Sequence, residues 1–122
     1  MLTLEQHGGW QILRFLPPYA DTDARAYLDA LVEIARYDGD FVLLTIFAGG
    51  GRLSQAGERE QALWFKATRA YFGKHCKAIA MVRPGATEKM AETFRKLWPM
   101  PIAATHDEAE ARAFLAQHMA TT

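Results

Sequence analysis

The triplet Gly49-Gly50-Gly51, with Arg52 and Ser54 close behind it, is the local feature best suited to chemistry. It follows the apolar run Phe41–Phe47 and precedes a stretch with helical spacing. A glycine-rich turn between a strand and a helix start gathers backbone N–H groups at the positive end of the helix dipole, where an anion can sit. Arg52 adds a charge-assisted donor. Ligands of open α/β sheets also collect at the carboxyl ends of strands. The spacing is not that of a P-loop, because no Gly-Lys-Ser/Thr follows, nor of the Gly-x-Gly-x-x-Gly dinucleotide fingerprint. The simpler account carries more weight: a loop whose serine caps the next helix.

Aromatic residues form a second concentration, at Trp64, Phe65, Tyr71, Phe72, Phe94 and Trp98. Trp64 and Phe65 are consecutive, so both cannot point fully into one sheet, and one of them is expected at a rim. That arrangement suits an apolar pocket or a self-association surface, which leaves a homodimer open. Plain core packing is the favoured reading of the set.

Other candidates are weaker. Cys76 is the single cysteine, so no internal disulfide and no multi-cysteine zinc site is expected. A nucleophilic thiol needs a base within reach, and neighbouring His75 points to the opposite face of a strand. The four histidines lack metal-ligand spacing, so neither metal nor cofactor is expected. Asp107, Glu108 and Glu110 gather at one helix start, where the dipole explains them. Arg59, Lys66 and Arg69, with Lys74, Lys77 and Arg83, make a basic stretch that reads as a solvated surface, not a nucleic-acid site.

These residues must be positioned by elements, and the chain states most of them. Residues 2–6 alternate with one wet face, Gly8-Gly9 turns, and residues 10–15 form a second, antiparallel strand. Pro17-Pro18 stops it. Asp21-Thr22 offers an N-cap, with Asp23 in the first turn. Tyr27, Leu28, Leu31, Val32, Ile34 and Ala35 then recur at helical spacing, and Gly39 suits a left-handed position. Phe41–Phe47 reads as a central strand covered on both faces. After Ser54, an apolar face of Ala56, Leu63, Trp64, Ala67, Ala70 and Tyr71 runs to about Phe72, where Gly73 closes the helix. Residues 77–83 make a buried strand. Thr87 caps a helix over about 88 to 98, with Met90, Ala91, Phe94, Leu97 and Trp98 inward. A short strand over 101–105 and a last helix over about 107 to 118 follow, with Thr105 and Glu108 placed as a capping box.

The order β-β-α-β-α-β-α-β-α predicts one α/β domain over residues 1–122 with a five-stranded mixed sheet. The chain has 122 residues, 50% hydrophobic and 23% charged, which suits a single folded domain. Lys plus Arg and Asp plus Glu both number 14, so the formal charge is zero and the field of a typical nucleic-acid binder is missing. The longest apolar stretches are far short of the roughly 20 residues of a membrane span. The reduced thiol and the lack of a leader-like N-terminus point to the cytoplasm.

The opening hairpin, the helix after Asp21-Thr22, the strand Phe41–Phe47 and the serine-started helix follow in order. The closing run Pro101-Ile102-Ala103-Ala104-Thr105-His106-Asp107-Glu108-Ala109-Glu110-Ala111-Arg112-Ala113-Phe114-Leu115 completes them. Together they resemble the STAS superfamily, the anti-sigma-factor antagonist fold, and within it the SpoIIAA-like group of small bacterial proteins. The resemblance spans nearly the whole chain. The closing run is similar to that group's final strand and its acidic-capped Glu-Ala-x-x-Trp-Leu helix, with Phe114 where tryptophan is common.

STAS domains that regulate sigma factors carry an Asp-Ser-x-Gly-like motif whose serine a partner kinase phosphorylates. Here the region reads Gly51-Arg52-Leu53-Ser54-Gln55-Ala56-Gly57. Ser54 falls near the right place, but Leu53 stands where the acid would be and Gly57 comes one residue late. SpoIIAA-like proteins generally lack the switch as well. Their link to CRAL-TRIO lipid-binding domains implies an apolar ligand. The leading expectation is therefore a non-enzymatic STAS-like module that binds a protein or a small ligand through the loop at residues 48–57. The alternative is a carrier or sensor of a lipid-like apolar molecule held between Trp64, Phe65, Phe94 and Trp98. An enzyme using Ser54 or Cys76 ranks last, for want of a visible base or acid.

Overall fold

Gly8 and Gly9 take φ of +58° and +82°, the pair of positive values a two-residue type I′ hairpin needs. They join β1 (Leu2–His7) to β2 (Trp10–Phe15), antiparallel, with Leu4 opposite Leu13. The computed structural model describes residues 1–49 and 53–119. β3 (Phe41–Phe47), β4 (Cys76–Val82) and β5 (Ile102–Thr105) complete a five-stranded sheet in the order β1-β2-β3-β4-β5. Every pairing after the first is parallel, so the sheet is mixed as predicted. Each helical connection advances the chain by one strand.

The alternation of β3 explains its continuous apolar run. Phe41 and Leu43 enter the core beneath α1 (Asp23–Ala35), α2 (Gln55–His75) and α3 (Glu88–Arg95). Val42, Leu44 and Ile46 enter the opposite core, under α4 (Glu108–Met119). Both faces of the strand are covered, so the run is apolar apart from Thr45. The α4 side combines these branched residues with small ones. Ala78 and Ala80 of β4 face Ala111 of α4, and all three are fully buried.

Local capping follows the sequence in part. The Ser54 hydroxyl accepts the Gly57 N–H at 3.1 Å, and the Thr87 hydroxyl accepts the Met90 N–H at 3.3 Å. Thr22 makes no side-chain cap bond. The Asp23 carboxylate instead ties down the segment before the helix, accepting the Ala20 N–H at 2.8 Å and the terminal ammonium of Met1 at 2.9 Å. The Thr105–Glu108 box does not form either. Asp107 accepts the Ala109 N–H at 2.9 Å, while Glu108 pairs with Arg112 at 2.9 Å. At α4 the Asp107 carboxylate takes the capping role, because a charged acceptor bonds an N–H more strongly.

Three further expectations are corrected. α2 does not end at Gly73 but continues to His75. A Cβ on Gly73 would lie 3.3 Å from Pro99 Cγ, so this glycine serves a close approach to the 98–101 segment. The inward face of α2 is Gly57, Trp64, Phe65, Thr68 and Phe72, not the alanine stripe; Ala56, Ala67 and Ala70 face out, and Leu63 is 61% exposed. Thr68 can be buried because its hydroxyl donates to the Trp64 carbonyl at 2.7 Å. Finally, α3 stops at Arg95, and Leu97 is 43% exposed while Trp98, beyond the helix, is 4% exposed. Pro99 disfavours helical backbone at the residue before it, and Trp98 reaches the core from the turn. Val32 of α1 is likewise exposed.

Candidate functional site

The site grows from the carboxyl ends of β2, β3 and β4. The register sets Phe15 beside Phe47 and Ile46 beside Val82. Arg83, one residue past β4, therefore comes level with Phe47 on the face that α1–α3 cover. Its guanidinium carbon stands 5.4 Å from the Phe47 ring centre. Phe15, Tyr27 and Phe47 meet edge to face, with centroids 5.9–6.1 Å apart. These are favourable aromatic separations.

Beneath this cluster lies an inner cavity of about 170 Å³ between the sheet and the three helices. Leu43, Thr45 and Met81 form its floor, and Tyr27 and Leu31 of α1 form one side. Gln61, Trp64 and Phe65 of α2, with Phe94 and Trp98, form the other. A second, outer cavity of about 160 Å³ is lined by Phe15, Tyr19, Gly49 and Leu53. Tyr27, Phe47, Gln61 and Arg83 line both. They form the partition between an apolar interior and a more open mouth.

Polar groups in this shell are few. The Tyr27 hydroxyl donates to Gln61 Oε1 at 2.5 Å. Burial pushes the Tyr27 phenol up to about 12, against the opposing pull of Arg83's charge, so it stays protonated at neutral pH. The Tyr19 hydroxyl donates to the Gly49 carbonyl, which ties the start of the glycine loop to the mouth. Gly49 itself has φ +86°, a value glycine takes readily. The indole Nε1 atoms of Trp64 and Trp98 are buried with no acceptor. Across the rim, Arg25 of α1 clamps Glu60 of α2 through two bonds of 3.1 and 2.6 Å.

The structure brings the four predicted aromatics together. Trp98 lies 5.8 Å from Trp64 and 5.0 Å from Phe65, and Phe65 lies 6.4 Å from Phe94. Trp64 and Phe65 straddle the inward line of α2, so both are half-buried in the cavity wall. Of the predicted loop residues, Gly49 lines the mouth, while Ser54 is exposed and does not. Gly50, Gly51 and Arg52 lie outside the described residues. Sequence reasoning missed Tyr27, Phe47 and Gln61 as wall residues and placed Arg83 in a basic surface. The position of Arg83, directly after a parallel strand next to the aromatic end of β3, was the available signal.

His75 and Cys76 do not share a strand: His75 ends α2 and Cys76 begins β4, and their side chains have different partners. His75 Nδ1 lies 3.0 Å from Asp40 Oδ1, and Cys76 is buried, with its Sγ 3.5 Å from the Ala78 carbonyl. Burial pushes the Cys76 thiol up to about 12. Among the described residues, no three His, Cys, Asp or Glu side chains converge as metal ligands would, and no helix is long and apolar enough to cross a membrane.

Neither a protein-family model nor a curated protein matches the chain. Two solved structures of Pseudomonas aeruginosa DspI are similar to it. One is 12% identical, covers 99% of this chain and 81% of that chain, and has a TM-score of 0.44. The other is 15% identical, covers 94% and 72%, and has a TM-score of 0.38. At these values the likeness assigns no function to this chain.

Proposed function

We propose that this chain is a non-enzymatic, STAS-like binding module that takes a small apolar molecule into the cavity between its sheet and α1–α3. Gly49 and Leu53 stand at the mouth. The observation that carries this reading is the shared wall: the aromatic interior and the cavity beside Gly49 and Leu53 meet at Tyr27, Phe47, Gln61 and Arg83. This supports reading the aromatic set as the inside of a site and Gly49 as part of its entrance. Small-molecule sites are of this kind, mostly apolar with a few placed polar groups. The STAS-like part rests on the opening hairpin, central strand, serine-capped helix and closing strand–helix pair, which follow one another along the chain.

Two measurements test the reading. Native mass spectrometry of the purified protein should show a bound small apolar molecule. Titration with 1-octanol should change the intrinsic fluorescence saturably, because Trp64 and Trp98 line the cavity while Trp10 packs on the opposite face. A protein that is ligand-free by mass and gives no saturable response to 1-octanol is not this binding module.

A further inference from the structure

We infer that Arg83 is a head-group anchor and that the site takes a small monocarboxylate, its alkyl or aryl part in the inner cavity. This deepens, and rests on, the reading of the cavity as a binding site. Arg83 is half-buried and lines both cavities. Its recorded contacts are the face of Phe47 and Met90 Sδ at 3.8 Å, a weak acceptor. Among the described residues no carboxylate lies within ion-pair distance of it. The other half-covered arginines differ: Arg14 has Glu5 and Glu108, and Arg112 has Glu108. A guanidinium held against an aromatic face with no carboxylate partner keeps its fork of donors for an incoming anion.

The charge and size of that anion follow from the walls. Among the described residues, Arg83 is the single charged side chain lining either cavity. One cation balances one carboxylate, whose two oxygens match the guanidinium fork. A doubly charged phosphate ester would be left with an unbalanced charge beside apolar walls. Gln61 spends its Oε1 on the Tyr27 hydroxyl, which keeps its Nε2 donor for a carboxylate at the partition. Cavities of about 150 Å³ lined by aliphatic and aromatic groups admit a benzene-sized molecule. The inner cavity therefore suits an apolar part of roughly six to eight carbons.

The test compares octanoate, 1-octanol and octyl phosphate on the intact protein, by tryptophan fluorescence and calorimetry. Octanoate is expected to bind at least about tenfold more tightly than 1-octanol, with octyl phosphate weaker than octanoate. Arg83→Met is expected to abolish the octanoate preference, so that octanoate binds no more tightly than 1-octanol. Arg83→Gln, which keeps a polar end, serves as the second variant, and thermal unfolding checks that both fold. Equal binding of octanoate and 1-octanol by the parent protein overturns the anchor while sparing the apolar cavity. Octyl phosphate binding as tightly as octanoate overturns the carboxylate assignment. Failure of all three probes overturns the cavity reading together with the anchor.

Discussion

Trp64 and Trp98 meet edge to face, with ring centres 5.8 Å apart, and neither buried indole N–H has an acceptor. The two rings come from different elements, one from the middle of α2 and one from the turn after α3. Their apolar bodies complete the cavity wall, while their N–H groups are buried without a partner among the described residues. An unsatisfied buried donor costs about 1–3 kcal/mol. Polar groups of this kind sit where a structure does something besides pack.

The α2 face gives the first prediction. Phe72 is fully buried and stacks on Trp98 with centroids 4.6 Å apart, whereas Leu63 is 61% exposed. Phe72→Ala is expected to cost about 3–5 kcal/mol, and Leu63→Gln to stay within about 0.5 kcal/mol of the parent. Urea unfolding of the two variants decides between the observed face and the alanine-bearing one, on which Leu63 would be the costly position.

Ser54 supplies the second. As a helix cap bonded to the Gly57 N–H, its replacement in Ser54→Ala is expected to lose about 0.5–2 kcal/mol. Ser54→Asp should be near neutral, since aspartate caps well and suits the dipole. Thermal unfolding measures both. A Ser54→Asp protein that melts with the parent but fails to retain a partner which the parent retains in a pull-down would replace the cap by a phospho-switch.

Tyr27 links the cavity to alkaline stability. Its folded value is pushed up to about 12 by burial from an ordinary 10.0. Between these values the unfolded chain has lost a proton that the folded chain keeps. The contribution is therefore complete below pH 10 and declines as pH rises through the folded value, by up to about 3 kcal/mol. Denaturant unfolding of parent and Tyr27→Phe from pH 8 to 11.5 should show a steeper fall in the parent. Parallel slopes would place the phenol in water.

Cys76 is predicted to resist thiol reagents. It is buried, and its thiol is pushed up to about 12, so almost no thiolate exists at pH 8. Labelling with a disulfide reagent should be slow in the native protein and complete within minutes in denaturant. Native labelling as fast as that of a free thiol would show the junction of α2 and β4 to be open.

The features legible in the sequence are those set within one turn or one strand. The hairpin follows from Gly8-Gly9, the doubly covered strand from Phe41–Phe47, and two caps from Ser54 and Thr87, because backbone dihedrals and nearest-neighbour bonds depend on residues a few positions apart. Gathering Trp64, Phe65, Phe94 and Trp98 as one candidate set was within reach on composition alone. Tertiary structure decided the rest. Leu63 and Trp64 both fit a helical period, and only the sheet beneath α2 selects Trp64, with Thr68 drawn inward because it can bond its own helix. Arg83 looks like one more surface cation until parallel pairing of β3 with β4 brings it over Phe47. Helical period and strand alternation are local properties of the chain, whereas the meeting of Phe15, Tyr27, Phe47, Gln61 and Arg83 depends on strand register and helix crossovers that join residues far apart in sequence.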